Sequence, residues 1–387
     1  MVLRIEYDYQ IFSLQRYGGI SRYYSEIAAR LAAHPGVEAE INCPLYINEY
    51  LRALPPSLVH GRPVEAYRRT ARLRHWLNAS LGRRRTLVRA PLIRHLTYYR
   101  THPSPGPATV VTVYDMAHER FPGEFPAKDA TSREKAEAVR SADAVICISH
   151  HTRKELLDLL PVDPAKVFVT HLGFTPLRAP TGFSPPSMLV ESPYLLYVGN
   201  RGGYKNFEAL LKAYGSCRAL AKDHGLVCLG GGRFTPDEER LIASLGVRDR
   251  VMQSQADDAL LAYAYAHARA FVYPSIYEGF GIPPLEAMSC GCPVICGSNS
   301  SLAEVVGDAA YLVDPSDEGS LAKGLEAVAG SEAVRERLVR AGSERAAKFS
   351  WDTCAEETLA VYRAVAGMRS PAPPRAATSL NPRAGQP

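Results

Sequence analysis

The sequence predicts an α/β protein of two halves, each a parallel sheet with helices on both faces. Three observations carry this. Short β-branched runs alternate with helical patterns along most of the chain. The runs are apolar almost throughout, as strands covered on both faces require. A proline-rich break then divides the chain near its middle. At 387 residues the chain has room for two domains, since single domains run to roughly 150–200 residues.

The expected strands are Ala108–Tyr114, Ala144–Ile148, Val167–His171, Tyr194–Val198, Leu226–Leu229, Ala270–Tyr273 and Pro293–Cys296, each bounded by turn residues. Helical patterns lie between several of them, as in Phe207–Ala221 and Asp258–His267. The break, Phe174–Pro193, holds Pro176, Pro180, Pro185, Pro186 and Pro193 without clean periodicity, the composition of a linker. The chain therefore reads as an N-terminal domain over 1–175, a linker over 176–193, a C-terminal domain over 194–350, a last helix over 351–367 and a tail over 368–387. That tail has five prolines, no acid and no apolar run, so it is expected to be disordered.

Composition excludes several function classes. The net charge of +5 is too small to argue for nucleic acid. Eight cysteines, at 43, 147, 217, 228, 290, 292, 296 and 354, make no disulfide framework and read as reduced, mostly buried thiols. Cys290, Cys292 and Cys296 lack the paired spacing of a structural metal site and read as small core residues. The opening MVLRIEYDYQIF carries Arg4, Glu6 and Asp8, which do not suit a signal peptide. No window reaches the ~18 apolar residues of a membrane span. The expected location is cytoplasmic, free or peripheral on the inner face of the plasma membrane.

One stretch departs from the average. His60–His102 carries eleven arginines against a single acid, Glu65, interleaved with Tyr67, Leu73, Trp76, Leu77, Leu81 and Leu87. Such a segment suits an anionic membrane surface or an acidic ligand. The alternative is a solvated helical face whose apolar side enters the core.

The densest chemical signal is Tyr273-Pro-Ser-Ile-Tyr-Glu278-Gly279-Phe280-Gly281-Ile-Pro-Pro-Leu-Glu286. A strand ends, a glycine loop turns, and a helix starts near Pro283, so free backbone amides face a ligand. Glycosidases set two carboxyls across the scissile bond, ~5–9 Å apart. Here one carboxylate lies in the loop and the other a turn into the helix, an arrangement that grips two parts of one polyol ligand.

Further loops follow the same logic. Gly199-Asn200-Arg201-Gly202-Gly203-Tyr204-Lys205 follows a strand and brings two cations suited to a diphosphate. Gly18-Gly19 opens an amphipathic helix with Ile20, Tyr24, Ile27 and Leu31 on one face. Asp115 and His118 follow the strand Ala108–Tyr114, where a parallel sheet presents ligand-facing residues. Ser149 is expected to cap the next helix, with acceptor contact as a secondary role.

Glu278-x7-Glu286 with Gly-Phe-Gly between resembles the signature of retaining nucleotide-sugar glycosyltransferases of the family 4 type (glycosyl transferases group 1). The resemblance runs from about residue 5 to 366, and its Gly-Gly-Ile-Ser-Arg-Tyr and Gly-Tyr-Lys-Asn segments are similar to those of bacterial mannosyltransferases. It implies the GT-B fold, two Rossmann-like domains facing across a cleft, with the last helix crossing back to the first. It implies that Glu278 contacts the donor sugar and Glu286 the ribose, and that the amides around Gly279, Phe280 and Gly281 lie near sugar and diphosphate. Lys205 would neutralise the leaving diphosphate. The family's arginine position is occupied by Asn200, so Arg201 is expected to substitute. Gly18 and Gly19 would form the N-domain glycine loop, His118 and Asp115 would serve the sugar or acceptor side, and Gly230-Gly231-Gly232 would lie near the nucleotide. No Asp-x-Asp is present, so protein cations are expected to replace a metal, and no cofactor is expected beyond the donor.

The resulting expectation is a retaining hexosyltransferase, with GDP-mannose as first donor and a lipid-linked glycan of bacterial surface polysaccharide, including lipopolysaccharide, as acceptor. Front-face substitution is expected, because no carboxylate nucleophile is placed. The alternatives are a UDP-sugar transferase of the same fold, a nucleotide-sugar epimerase, and a non-catalytic sugar-nucleotide-binding subunit.

Overall fold

The computed structural model describes residues 2–65, 70–101 and 106–369. The first sheet is built from β1 (Leu3–Tyr7), β2 (Val37–Tyr46), β3 (Val59–Pro63), β4 (Ile93–Leu96), β5 (Ala108–Val113), β6 (Ala144–Cys147) and β7 (Val167–Val169). The second is built from β8 (Tyr194–Val198), β9 (Gly225–Leu229), β10 (Val251–Ser254), β11 (Ala270–Tyr273), β12 (Val294–Gly297) and β13 (Tyr311–Val313). Their orders are β3-β2-β1-β4-β5-β6-β7 and β10-β9-β8-β11-β12-β13, and every pairing is parallel. Both orders reverse once, between β1 and β4 and between β8 and β11. Ligands of such sheets bind outside the carboxyl ends of strands at this reversal.

The strands expected from the sequence are present within a few residues at their ends. β1 and β4 were hidden by their charges. Register sets Glu6 of β1 beside Arg94 of β4, and the two pair at 3.3 Å. Burial pushes the Glu6 carboxyl up against the pull of Arg94 and the hydrogen bonds of Thr86 and Asn42. An apolar-run criterion passes over such strands, because their polarity is cancelled only in three dimensions.

Between β7 and β8 the chain is irregular apart from one turn at Ser187–Leu189. The last helix, Trp351–Arg369, lies against the first-sheet helix Gly19–Ala33. Arg30 pairs with Asp352 at 2.5 Å, and the Tyr362 hydroxyl lies 2.5 Å from His95 Nδ1 in the first-sheet core. Burial pushes the His95 imidazole down to about 3, so it is neutral there. The helix runs to Arg369, and the expected disordered tail lies from 370 onward outside the described residues.

The arginine-rich stretch is not one surface. It divides into β3, the helix Ala71–Arg89 and β4, where Ile93, Arg94 and Leu96 are buried. Arg68, Arg69 and Tyr67 lie outside the described residues. The helix inverts the usual amphipathic pattern. Its buried stripe is Arg74, Asn78, Gly82 and Thr86, spaced four apart. Arg74 donates to the Ser13 carbonyl at 2.9 Å, Asn78 exchanges bonds with the Leu45 backbone at 2.7 and 2.9 Å, and Thr86 donates to Glu6 at 2.8 Å. Leu73, Trp76, Leu87 and Val88 are 56, 63, 60 and 85% exposed. The alternative of an apolar side in the core is thereby corrected, because the core-facing side is polar.

Candidate active site

The loops after β8 and β11 flank the reversal of the second sheet and are tied together. The Ile276 amide donates to the Tyr204 carbonyl at 2.8 Å, and the Asn206 side-chain amide donates to the carbonyls of Pro274 and Pro315 at 3.1 and 2.6 Å. These ties bring Lys205 Nζ within 2.7 Å of Glu278 Oε1. Ser301 donates to the carbonyls of Glu278 and Phe280 at 2.8 and 2.9 Å, fixing the loop from below. Lys205 and Glu278 thus form one preorganised pair, a cation and an acceptor side by side.

Arg201 has another task. Gly230, Gly231 and Gly232 all take left-handed backbone angles, with φ of 87°, 68° and 75°. This turn aims carbonyls at the guanidinium, which donates to Gly230 at 3.1 Å, Gly232 at 3.1 Å and Arg233 at 2.8 Å. It also pairs with Glu238 at 2.8 Å and sits over the rings of Phe207 and Phe234. In this arrangement Arg201 is a buried clasp of the glycine turn, and it also lines the cavity beside Asn200. Asn200 is exposed and lines a cavity of about 890 Å³ with Gly202, Gly203 and Lys212.

The helix Ile282–Ser289 begins after Gly281 and carries Glu286. Burial pushes the Glu286 carboxyl up to about 7, and Arg22 is the cation that opposes this shift. Arg22 belongs to the helix Gly19–Ala33, which starts behind Gly18 and Gly19. The glycine loop of the first domain and the second carboxylate therefore face one another across the cleft. Arg22 was not singled out in the sequence, where nothing distinguishes it from other helical arginines.

Beyond β5, Asp115 Oδ1 accepts the Ala117 amide at 3.0 Å. His118 stacks on Phe125 with 3.7 Å between ring centres, and its Nε2 lies 4.0 Å from Asp129. Burial and then Lys135 push the imidazole down, leaving it neutral at neutral pH. His118 Nδ1 is buried without a protein hydrogen-bond partner. Lys135, which the sequence reading missed, is almost wholly buried and reaches the Asp115 carbonyl at 2.9 Å and Glu119 at 2.8 Å. Ser149 caps the helix His150–Leu159 through the Thr152 amide at 3.0 Å. Its secondary acceptor role is corrected, because the side chain is sealed from solvent.

The two halves of the site meet at Tyr277 and Gly279. The Tyr277 hydroxyl accepts from the Met116 amide at 2.8 Å and donates to Glu155 at 2.5 Å. Glu155 also pairs with Arg120 at 2.7 Å. Burial opposes its ionisation, yet the bonds from His151, Tyr277 and Arg120 hold it down to about 2. A Cβ on Gly279 would lie 1.9 Å from the Tyr114 carbonyl oxygen, so only glycine permits this approach. Phe121 stacks on Tyr204 at 5.1 Å. Neither Tyr277 nor Glu155 could be paired from sequence, where they stand 122 positions apart.

Comparisons with known proteins give the family and the fold. The profile described as Glycosyltransferase Family 4 matches residues 17–176, and that described as Glycosyl transferases group 1 matches 186–345. The chain is 32% identical over 266 residues to O-antigen chain mannosyltransferase B of Escherichia coli, covering 66% of this chain and 70% of that one. It is 32% identical over 228 residues to an MMP alpha-(1->4)-mannosyltransferase of Mycolicibacterium hassiacum, covering 58% and 54%. Its fold matches a sucrose-phosphate synthase from Thermosynechococcus elongatus with a TM-score of 0.70 at 19% identity, covering 95% and 100%. The two facing doubly wound sheets are the GT-B architecture, and the chain belongs to the group 1, family 4 type of glycosyltransferases.

Proposed function

We propose that this glycosyltransferase moves a hexose, mannose from GDP-mannose in the first instance, to an acceptor hydroxyl with retention at the anomeric carbon. The Lys205–Glu278 pair carries this reading. Glu278 accepts from sugar hydroxyls while Lys205 stabilises charge on the departing diphosphate, without need of a metal. The bond from the anomeric carbon to the phosphate oxygen breaks as the acceptor oxygen bonds to that carbon from the same face. The acceptor proton passes to the departing phosphate oxygen. Neutral His118 orients the sugar, and Glu286 accepts from the ribose hydroxyls. The mannosyltransferase names of two relatives support the choice of sugar.

A cavity of about 310 Å³ at the carboxyl ends of β1 and β4 is the acceptor side in this reading. Arg100 and Lys128 line it together with the acids Asp129 and Glu134, the latter paired with Arg100 at 3.3 Å, so its charge is mixed. The acceptor assigned to it is a lipid-linked glycan. The helix Ala71–Arg89 supports its delivery from an anionic membrane surface, with exposed Leu73, Trp76, Leu87 and Val88 set among Arg72, Arg83 and Arg84. No helix among the described residues is long and apolar enough to cross a membrane.

The deciding experiment is calorimetry and thermal shift with GDP, UDP, ADP and their sugars, in EDTA. Binding of GDP and GDP-mannose alone, followed by mannose transfer, is expected. Preference for a UDP-sugar would overturn the donor assignment, and loss of binding in EDTA would overturn metal independence. Consumption of the donor to an isomeric nucleotide sugar without acceptor would favour an epimerase. For the membrane reading, Trp76 emission should shift to the blue with anionic vesicles and revert with salt. Trp351 is buried and does not confuse this signal. An unchanged spectrum would sink it.

A further inference from the structure

His150, His171 and Glu304 converge from three elements. His150 opens the helix His150–Leu159, His171 follows β7, and Glu304 lies in the helix Ser300–Val306 of the opposite domain. One ligand atom from each lies within 4.8 Å of the others, and this is the single such group found among the described residues. His171 Nε2 is 2.7 Å from Glu304 Oε1, and the two imidazole rings are 5.6 Å apart. Burial works to raise the Glu304 carboxyl, but His171 and the amides of His150 and His151, at 2.9 and 3.0 Å, hold it below its ordinary value. Arg345 fixes the end of the glutamate's helix through the carbonyls of Glu304 and Val305, at 2.5 and 2.7 Å.

We propose that His150, His171 and Glu304 bind a divalent transition-metal ion, Zn²⁺ by their chemistry, which fastens the two domains together behind the donor loop. Two imidazoles and one carboxylate form a recognised zinc set that leaves one position for water. Zn–ligand bonds of ~2.0–2.2 Å place tetrahedral ligands roughly 3.3 Å apart, so an adjustment of about an ångström closes the site. His150 is exposed and turns without disturbing the core. The ion takes the place of the hydrogen between His171 and Glu304, and that proton leaves to solvent. The site is separate from the diphosphate machinery, yet His171 lies 6.0 Å from the ring of Phe280. A bound ion therefore stiffens the segment that presents Glu278 and slows domain opening.

The test uses the full chain without a polyhistidine tag, stripped with chelator and titrated with Zn²⁺ by calorimetry and with Co²⁺ by visible absorption. One equivalent should bind, raise the melting temperature, and slow amide exchange around Gly279 and Phe280. His150→Ala should weaken binding more than about tenfold, the loss that even a supporting partner can cause, without changing the melting temperature of the metal-free protein. Glu304→Gln should do the same with Co²⁺, whose spectrum loses a ligand. Should Glu304→Gln fail to fold, the exposed His150 decides alone. Absence of a bound equivalent, or full binding retained by His150→Ala, would overturn the proposal.

Discussion

The hydroxyl of Tyr277 donates to Glu155 Oε2 at 2.5 Å across the domain boundary, one residue before Glu278. The donor-facing loop is thus positioned by the opposite domain as well as by its own. Tyr277→Phe removes this bond and the one from the Met116 amide. Stability should fall by about 1–3 kcal/mol, and kcat should fall more than nucleotide affinity does. Equal kcat in the variant would show that the strut does not position the site.

Lys205→Ala should lower turnover by about 10²–10³ with little change in melting temperature, because the pair with Glu278 is partly exposed. Arg201→Ala should do the reverse in emphasis. It releases three carbonyls and a half-buried glutamate partner, and buried acceptors left unpaired cost roughly 1–3 kcal/mol. Thermal unfolding and steady-state kinetics on both variants separate cation from clasp.

Gly279→Ala places a methyl group against the Tyr114 carbonyl. Overpacking of this kind costs typically ~1–3 kcal/mol, and here it falls on closure. Both sheets should persist by circular dichroism while transfer activity drops. An active Gly279→Ala would mean that the observed approach of the domains is not required.

Glu286 gives a pH signature of definite sign. Its folded value of about 7 exceeds the ordinary 4.5, so the folded state holds the proton more tightly and loses stability as pH rises between them. Glu286→Gln, neutral throughout, should melt higher than the parent above pH 7, with the gap closing toward 4.5. The same variant should bind nucleotide more weakly. A gap that widens on acidification would contradict the assignment.

The candidate loops were legible in the sequence where they follow uniform apolar strands. Lys205, Glu278, Asp115 and His118 each lie just beyond a strand that burial makes apolar, so loop and reversal could be found together. The clasp made by Arg201 was not legible, because it depends on three glycine backbone angles, which residue type permits but does not announce. Arg22, Lys135, Tyr277 and Glu155 escaped for a different reason. Their significance comes from partners on another element or the other sheet, and no local period encodes such a meeting. The stretch His60–His102 is visibly basic and apolar in the sequence, but which side of its helix Ala71–Arg89 faces inward depends on hydrogen bonds to Glu6, Ser13 and Leu45.

Tyr362 reaches His95 and Tyr7 over 267 and 355 positions. The ribosome makes Tyr7 355 residues before Tyr362, so the first sheet cannot complete its interior until the second domain has been translated. Chains normally fold domain by domain from the N-terminus as they emerge, but here the second domain can finish before the first. A nascent chain arrested ahead of Trp351 should remain protease-sensitive over residues 2–175 while residues 194–346 resist digestion, and truncation just ahead of Trp351 should damage the first domain more than the second.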